Sequence, residues 1–294
     1  MKKGVISSKQ SMNFSTDKIL ITGAAGSIGS ALSNRIADLN PKQLVLLDNN
    51  ESGLFEIYEE VNDRCNADYV VGDIRDTEWI YEIFKKYKFD IVYHAAAYKH
   101  VVLMEKYPIE AVKTNIEGLL NILHASEMIK IKKFIFISSD KAVNPTSYMG
   151  KTKKEGERYC KEYNKHGLNC IIVRFGNVMA SRGSVVPIFQ KAITEGKDLE
   201  VTDKKMKRYF MGIYEAVDLI LEATRLGRGG ETFFLDMGKP MEILQLAQFM
   251  IKLSGKDLKI KFSKANKGEK FDEQLMTLEE SKRAKKVGKL WIIK

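Results

Sequence analysis

The chain has 294 residues, 44% of them hydrophobic and 29% charged, with a formal net charge of +10. That composition fits a globular protein facing water, large enough for one big α/β domain or two small ones, and contains no apolar run near the roughly 18 residues that span a bilayer. The lysines are scattered among acids and form no basic block interleaved with aromatics, which argues against a nucleic-acid partner and suits an anionic small substrate.

The opening stretch, "MKKGVISSKQSMNFSTD", lacks the apolar core of a secretory signal, so a cytoplasmic protein is expected. Residues 1–17 fit no core pattern and are expected to form an arm that crosses to a neighbouring subunit or covers the cofactor. The short apolar runs "KILIT", "QLVLLD", "DYVVGD", "DIVYHAA", "KKFIFISS" and "CIIVRFG" follow, too short for helices and rich in Val, Ile and Phe. Amphipathic stretches such as "SALSNRIADL", "EWIYEIFKKY" and "IEGLLNILHASEMI" separate them. This alternation predicts an α/β fold, a Rossmann-type doubly wound parallel sheet over residues 18–177. Beyond it the regularity weakens, and residues 178–294 are expected to form a small substrate-binding lobe, partly interleaved with the first. Near its end, "SKRAKK" follows "LEE" and reads as the solvated face of a helix. Cys65, Cys160 and Cys170 show no CxxC spacing and read as reduced structural or surface thiols.

The first motif, "ITGAAGSIGSAL", follows a strand and opens a helix. Gly23 permits a tight turn, Gly26 lets backbone approach a pyrophosphate, and Gly29 allows close helix packing. Amides around Ser27 and Ile28 point at phosphate from the helix N-terminus. Asp48, at the end of the second strand, is suited to hold ribose hydroxyls and repel a 2′-phosphate. No Arg or Lys follows in "NNES", which favours NAD over NADP. Asp73 in "GDIRD" is placed to meet the adenine edge.

The segment "SSDKAVNPTSYMGKTK" places Met149 one helical turn before Lys153, where short-chain dehydrogenases carry a Tyr. Tyr148 lies about 100° round the helix from that face. Asp140 and Lys141 directly follow the fifth strand, at the sheet end where ligands bind. The alternative is a surface turn pair. His94 reads as a satisfied core histidine, and no residues stand at metal-ligand spacing, so no metal is expected. Asn177 is placed to donate to a diphosphate or sugar. Arg182 and Arg208 match phosphate oxygens as forks or lie on the surface.

These stretches, with "HAAAYKHVVLME", "TNIEGLLNIL", "VRFGNVMASRGSVVPIFQKAI", "KRYFMGIYEAVDLIL", "DMGKP" and "GEKFDEQL", resemble the extended short-chain dehydrogenase/reductases. More narrowly, the chain resembles the bacterial nucleotide-sugar 4,6-dehydratases of polysaccharide synthesis, whose membrane-bound long forms also carry Met in place of Tyr. Ser139 stands where many relatives have Thr. The resemblance implies a lyase that takes hydride from sugar carbon 4, a proton from carbon 5 and water from carbon 6, then returns the hydride to carbon 6. It implies Lys141 as the carbon-5 base and Asp140 as the acid for the leaving hydroxyl. Neighbouring cations, Lys99 and Lys153 among them, would lower the pKa of Lys141 for that work.

Ser139 would hydrogen-bond the 4-hydroxyl, and Asp140, or water held by Ser139 and Asp140, would take the proton the Tyr usually takes. Lys153 would hold the nicotinamide ribose, and Met149 would pack the floor. The resemblance adds Ile74 and Ala95 to the cofactor side, and Lys99, His100 and Val185 to the substrate side. It further implies a UDP-sugar substrate, UDP-N-acetylglucosamine first among them, retention at carbon 5, and a homo-oligomer. A sugar 4-epimerase and a catalytically silent NAD-binding regulator are the competing functions.

Overall fold

The computed structural model describes residues 12–264 and 266–294. The apolar runs form β1 (Lys18–Thr22), β2 (Gln43–Asp48), β3 (Ala67–Val71), β4 (Ile91–His94), β5 (Lys133–Ile137) and β6 (Cys170–Arg174). Between them lie α1 (Ser27–Ala37), α2 (Glu51–Val61), α3 (Thr77–Tyr87), α4 (Val101–Lys106), α5 (Pro108–Val112), α6 (Gly118–Ile129) and α7 (Tyr148–Lys165). Local chemistry sets several helix starts. Asn50, Asp76 and Ser147 each accept a first-turn amide with their side chains, opening α2, α3 and α7.

β1 pairs in parallel with β2 on one side and β4 on the other. The strand order therefore reverses at β1, and a crevice opens beyond the carboxyl ends of the strands. Side chains alternate across the sheet as the pleat requires. Ile19, Ile21, Leu44 and Leu46 face one core with α1 and α2, while Leu20, Val45, Val92 and Phe136 face the other with α3 and α6.

The remaining elements are β7 (Asn177–Val178), α8 (Val185–Thr194), β8 (Leu199–Val201), β9 (Lys207–Arg208), β10 (Phe210–Met211), α9 (Ile213–Leu226) and β11 (Thr232–Leu235). They continue with β12 (Met241–Glu242), α10 (Ile243–Ser254), β13 (Ile260–Phe262), α11 (Leu278–Ser281), β14 (Lys285–Val287) and β15 (Leu290–Ile293). The nine-stranded sheet runs β14-β15-β11-β6-β5-β4-β1-β2-β3. Three of its strands thus come from beyond residue 177. β11 joins β6 in parallel, and β15 closes on β11 in antiparallel register. The rest of that half has its own core, in which Phe189, Leu199, Val201 and Ile243 bring α8, β8 and α10 together.

Two expectations change. The basic stretch after "LEE" is not a helical face. α11 ends at Ser281, and Lys285 and Lys286 belong to β14, the edge of the main sheet. The arm expected over residues 1–17 is in part core. Phe14 is 3% exposed and packs with the β1 face, its carbonyl accepts from the Lys42 amide, and Asp17 pairs with Lys132 at 2.7 Å. Residues 1–11 of the expected arm lie outside the described residues.

Candidate active site

β1 ends in a turn that only glycine fits. Gly23 has φ 68°, and a Cβ there would lie 2.5 Å from the Ala96 amide nitrogen. Gly26 precedes α1 without a side-chain cap, so the first-turn amides are left for an outside acceptor. The Asp48 carboxylate accepts from the Ala25 and Asn50 amides, both at 2.9 Å, and so braces this turn from β2. A cleft of about 150 Å³ lies over it, lined by Gly23, Gly26, Asp48, Asp73, Ile74 and Ala95. The Thr114 hydroxyl, also in its wall, is buried with no partner among the described residues. Bare glycine backbone, free amides, a carboxylate and an unpartnered hydroxyl fit a dinucleotide.

Asp73 is less free than its spacing implies. Arg75 grips it through Nε at 3.0 Å and Nη2 at 2.6 Å, and this hydrogen bonding holds its carboxyl below the usual range. Arg75 also reaches Glu110 at 3.2 Å, so the cation nearest this end of the cleft is already paired.

The second cluster forms where β5 runs out. Ser139 caps a single turn, Asp140–Ala142. Asp140 is fully buried; its Oδ1 accepts from the Ser139 hydroxyl at 2.8 Å and from Lys141 Nζ at 3.1 Å, while Oδ2 has no donor among the described residues. Burial pushes the Asp140 carboxyl up to about 6, against the pull of Lys141.

Lys141 Nζ also contacts Glu273 at 2.8 Å and Asn177 Oδ1 at 3.3 Å. The lowered pKa expected for Lys141 is not found. Burial favours the neutral amine, but Asp140 and Glu273 outweigh it and hold the ammonium above its ordinary value. Lysines that are lowered include Lys99, through burial and the nearby Arg182 and Lys141, Lys270, through burial, and Lys153, which burial brings to about 8.

A cavity of about 570 Å³ opens on this cluster, and Lys99, His100, Lys141, Asn177, Val185 and Arg208 all line it. Arg208 is 8% exposed and already engaged: Nε lies 3.4 Å from Glu273, Nη2 lies 3.3 Å from Glu269, and Nη1 donates to the Lys207 and Phe271 carbonyls. Arg182 lies instead against the glycine turn. Its Nη1 donates to the Ala25 carbonyl, its amide donates to the Ser27 hydroxyl, and Nη2 pairs with Glu56.

α7 delivers the third group. Met149 is 2% exposed and packs with Met104 and Ala111, a wall residue with no polar reach. Lys153 Nζ donates to the Ile137 carbonyl at 2.8 Å and lies over the Phe136 ring. Tyr148 is exposed beneath Lys151. His94 is buried, hydrogen-bonded through Nδ1 to the Thr22 hydroxyl and stacked on Phe134 and Phe136. Burial lowers its pKa to about 3, the state of a neutral core imidazole.

Sequence reasoning assigned no role to Glu273 or Asn115. Asn115, 2% exposed, accepts from the Tyr98 amide and donates to the Tyr98 carbonyl and the Thr152 hydroxyl, tying the β4 loop to α7. Glu273 sits in "GEKFDEQL", a stretch with no regular structure whose aim only the fold reveals.

Residues 19–294 match the family described as "Polysaccharide biosynthesis protein". The chain is 43% identical over 270 residues to polysaccharide biosynthesis protein EpsC of Bacillus subtilis, covering 89% of this chain and 45% of that protein. It therefore spans about half the length of that relative. It is 34% identical over 286 residues to UDP-glucose 4-epimerase of Rickettsia bellii, covering 94% of this chain and 82% of the relative. Among solved structures, Pen from Bacillus thuringiensis superposes with a TM-score of 0.90 at 37% identity, covering 96% of this chain and 89% of that one. The glycine turn, the carboxylate at the end of β2, the polar cluster after β5 and the match over nearly all the chain make this protein a member of the polysaccharide biosynthesis protein family, built as an extended short-chain dehydrogenase/reductase.

Proposed function

We propose that the chain catalyses the 4,6-dehydration of a UDP-sugar, with UDP-N-acetylglucosamine the leading substrate and NAD the recycled cofactor. The observation that carries this reading is the Asp140–Lys141 pair: Lys141 lines the 570 Å³ cavity, and the fully buried Asp140 lies 3.1 Å behind its ammonium, with a raised proton affinity. Bound NAD would supply the oxidation of carbon 4 and the later reduction of carbon 6. The residues supply the proton transfers.

Asp140 takes the proton of the 4-hydroxyl, held in place by Ser139. The ketone so formed makes the carbon-5 proton acidic. Lys141 removes that proton once its ammonium has passed its own proton to Glu273, 2.8 Å away, because Asp140 already holds the proton of the 4-hydroxyl. Asp140 then gives a proton to the carbon-6 hydroxyl, which leaves as water. Lys153 adds positive field at the cofactor side, and Met149 packs the wall with Met104 and Ala111. Arg208 meets the diphosphate only after Glu269 yields its place.

A second reading, sugar 4-epimerisation, is favoured by the 34% identity to the Rickettsia bellii protein named UDP-glucose 4-epimerase. An epimerase needs no acid for a leaving hydroxyl at carbon 6, so Asp140 would stand without that task. Incubation with UDP-N-acetylglucosamine separates the two. A product lighter by one water supports dehydration, and a product of unchanged mass supports epimerisation.

A further inference from the structure

Glu273 stands on the irregular segment between β13 and α11, far in sequence from β5, yet it occupies the middle of the buried charge cluster. Its carboxylate is 2.8 Å from Lys141 Nζ, accepts from Asn177 Nδ2 at 2.9 Å, and is 3.4 Å from Arg208 Nε. Asp140 and Glu273 thus flank the same ammonium, Lys141 Nζ, at 3.1 and 2.8 Å. Two carboxyl groups sharing one ammonium ionise together only at some cost, so one of them keeps its proton to a higher pH than an ordinary carboxyl.

Counting donors shows which member keeps it. Glu273 faces three, from Lys141, Asn177 and Arg208. Asp140 faces the Ser139 hydroxyl and a shared Lys141, and its Oδ2 has none among the described residues. A carboxylate with more donors keeps its charge, and the one with fewer takes the proton. The other charge near this pair is Lys270, on the same segment as Glu273, which feels both carboxylates.

We propose that Glu273 is a positioning residue that acts on Asp140 through their shared Lys141 ammonium, so that a carboxylate can do the work of the missing phenol. The proposal rests on the dehydratase reading for what Asp140 does with the proton, but not for the pairing itself. A bare aspartate is too weak a base to accept a sugar hydroxyl proton efficiently near neutral pH. The segment from Gly268 to Gln274 secures the pair from the other side: Thr146 donates to the Gly268 carbonyl, Lys270 to the Val143 carbonyl, and Asn144 to Gln274.

The test follows the Asp140 carboxyl by ¹³C NMR in full-length protein labelled at aspartate carboxyls, its signal assigned by its loss in Asp140→Asn. In the wild type, Asp140 is expected to titrate near 6. In Glu273→Gln the negative neighbour is gone and an amide donor takes its place, so the midpoint should fall by about one unit or more. Glu273→Asp keeps the charge at shorter reach and should give an intermediate midpoint, which serves if the Gln variant fails to fold. With UDP-N-acetylglucosamine, the acid limb of kcat/KM should move down by the same amount in each variant, a change that loss of packing alone does not produce. A wild-type midpoint below about 4.5, or an Asp140 midpoint unmoved by either substitution, overturns the proposal. Midpoints that move as expected in a protein that removes no water uphold the pairing and remove the dehydratase reading instead.

Discussion

Asp140 and Lys141 share one hydrogen bond, and under the proposed dehydration they have different tasks, so their substitutions should fail differently. Asp140→Asn removes both the acceptor for the 4-hydroxyl proton and the donor to the leaving water. Turnover should fall by at least ~10², with neither oxidation nor elimination detected. Lys141→Ala leaves Asp140 in place, so oxidation at carbon 4 remains possible while the carbon-5 proton has no base. Enzyme-bound NADH absorbance should then build up without product. Met149→Ala touches only the wall formed with Met104 and Ala111 and should cost less than either. If it proves as damaging as Asp140→Asn in a folded protein that binds NAD, Met149 is no passive replacement for Tyr. The pH dependence follows from the same pair. Because Asp140 must be ionised to accept the first proton and its carboxyl is pushed up to about 6, kcat/KM should decline as pH falls through that value.

At the scale of elements, a buried ion-pair group binds the region of the Asp140–Ala142 turn to the C-terminal part of the chain. Arg174, at the end of β6, is 4% exposed and holds Glu157 of α7 at 2.5 Å and Glu280 of α11 at 2.9 Å. Glu157 in turn accepts from Ser138, next to the region of that turn. Removing Arg174 leaves two buried carboxylates uncompensated, so Arg174→Ala should lower unfolding stability by about 3–5 kcal/mol in denaturant titrations. Phe14→Ala should cost a similar ~3–5 kcal/mol through the cavity it opens against the sheet. An unchanged midpoint would mean that Phe14 does not dock as described.

The elements also show what a sequence can tell. The six parallel strands were legible because each is a continuous Val/Ile/Phe run between amphipathic helices. The glycine turn was legible because its spacing is a backbone requirement. "LWIIK" and "RAKKVGK" were not, because a short edge hairpin beside a lysine cluster carries no helix or strand period. Glu273 was silent for another reason. Its segment has no regular structure, and its role depends on a contact with a turn more than a hundred residues earlier. Asp140 and Lys141 were placed by their position after β5, but the direction of the Lys141 shift was missed, since both carboxylates that hold its proton become visible only in three dimensions.

For the whole molecule, the glycine-turn cleft and the 570 Å³ cavity are lined by successive residues, Tyr98 in one and Lys99 in the other, so in the proposed reading one bound sugar faces both the cofactor and Lys141. If the acid Asp48 at the β2 end and the paired Arg75 set the cofactor choice as proposed, calorimetric titration should show tighter binding of NAD than of its 2′-phosphorylated form. A clear preference for NADP would contradict that assignment of Asp48. The central claim, that this site removes water across carbons 5 and 6, is tested most directly by incubating the protein with UDP-N-acetylglucosamine in deuterated water and examining the product by mass spectrometry and NMR. The account predicts a 4-keto sugar lighter by one water, with deuterium at carbon 5 and no steady NADH accumulation. A product of unchanged composition epimerised at carbon 4, or NADH formed in step with an oxidised sugar that keeps its 6-hydroxyl, would contradict it.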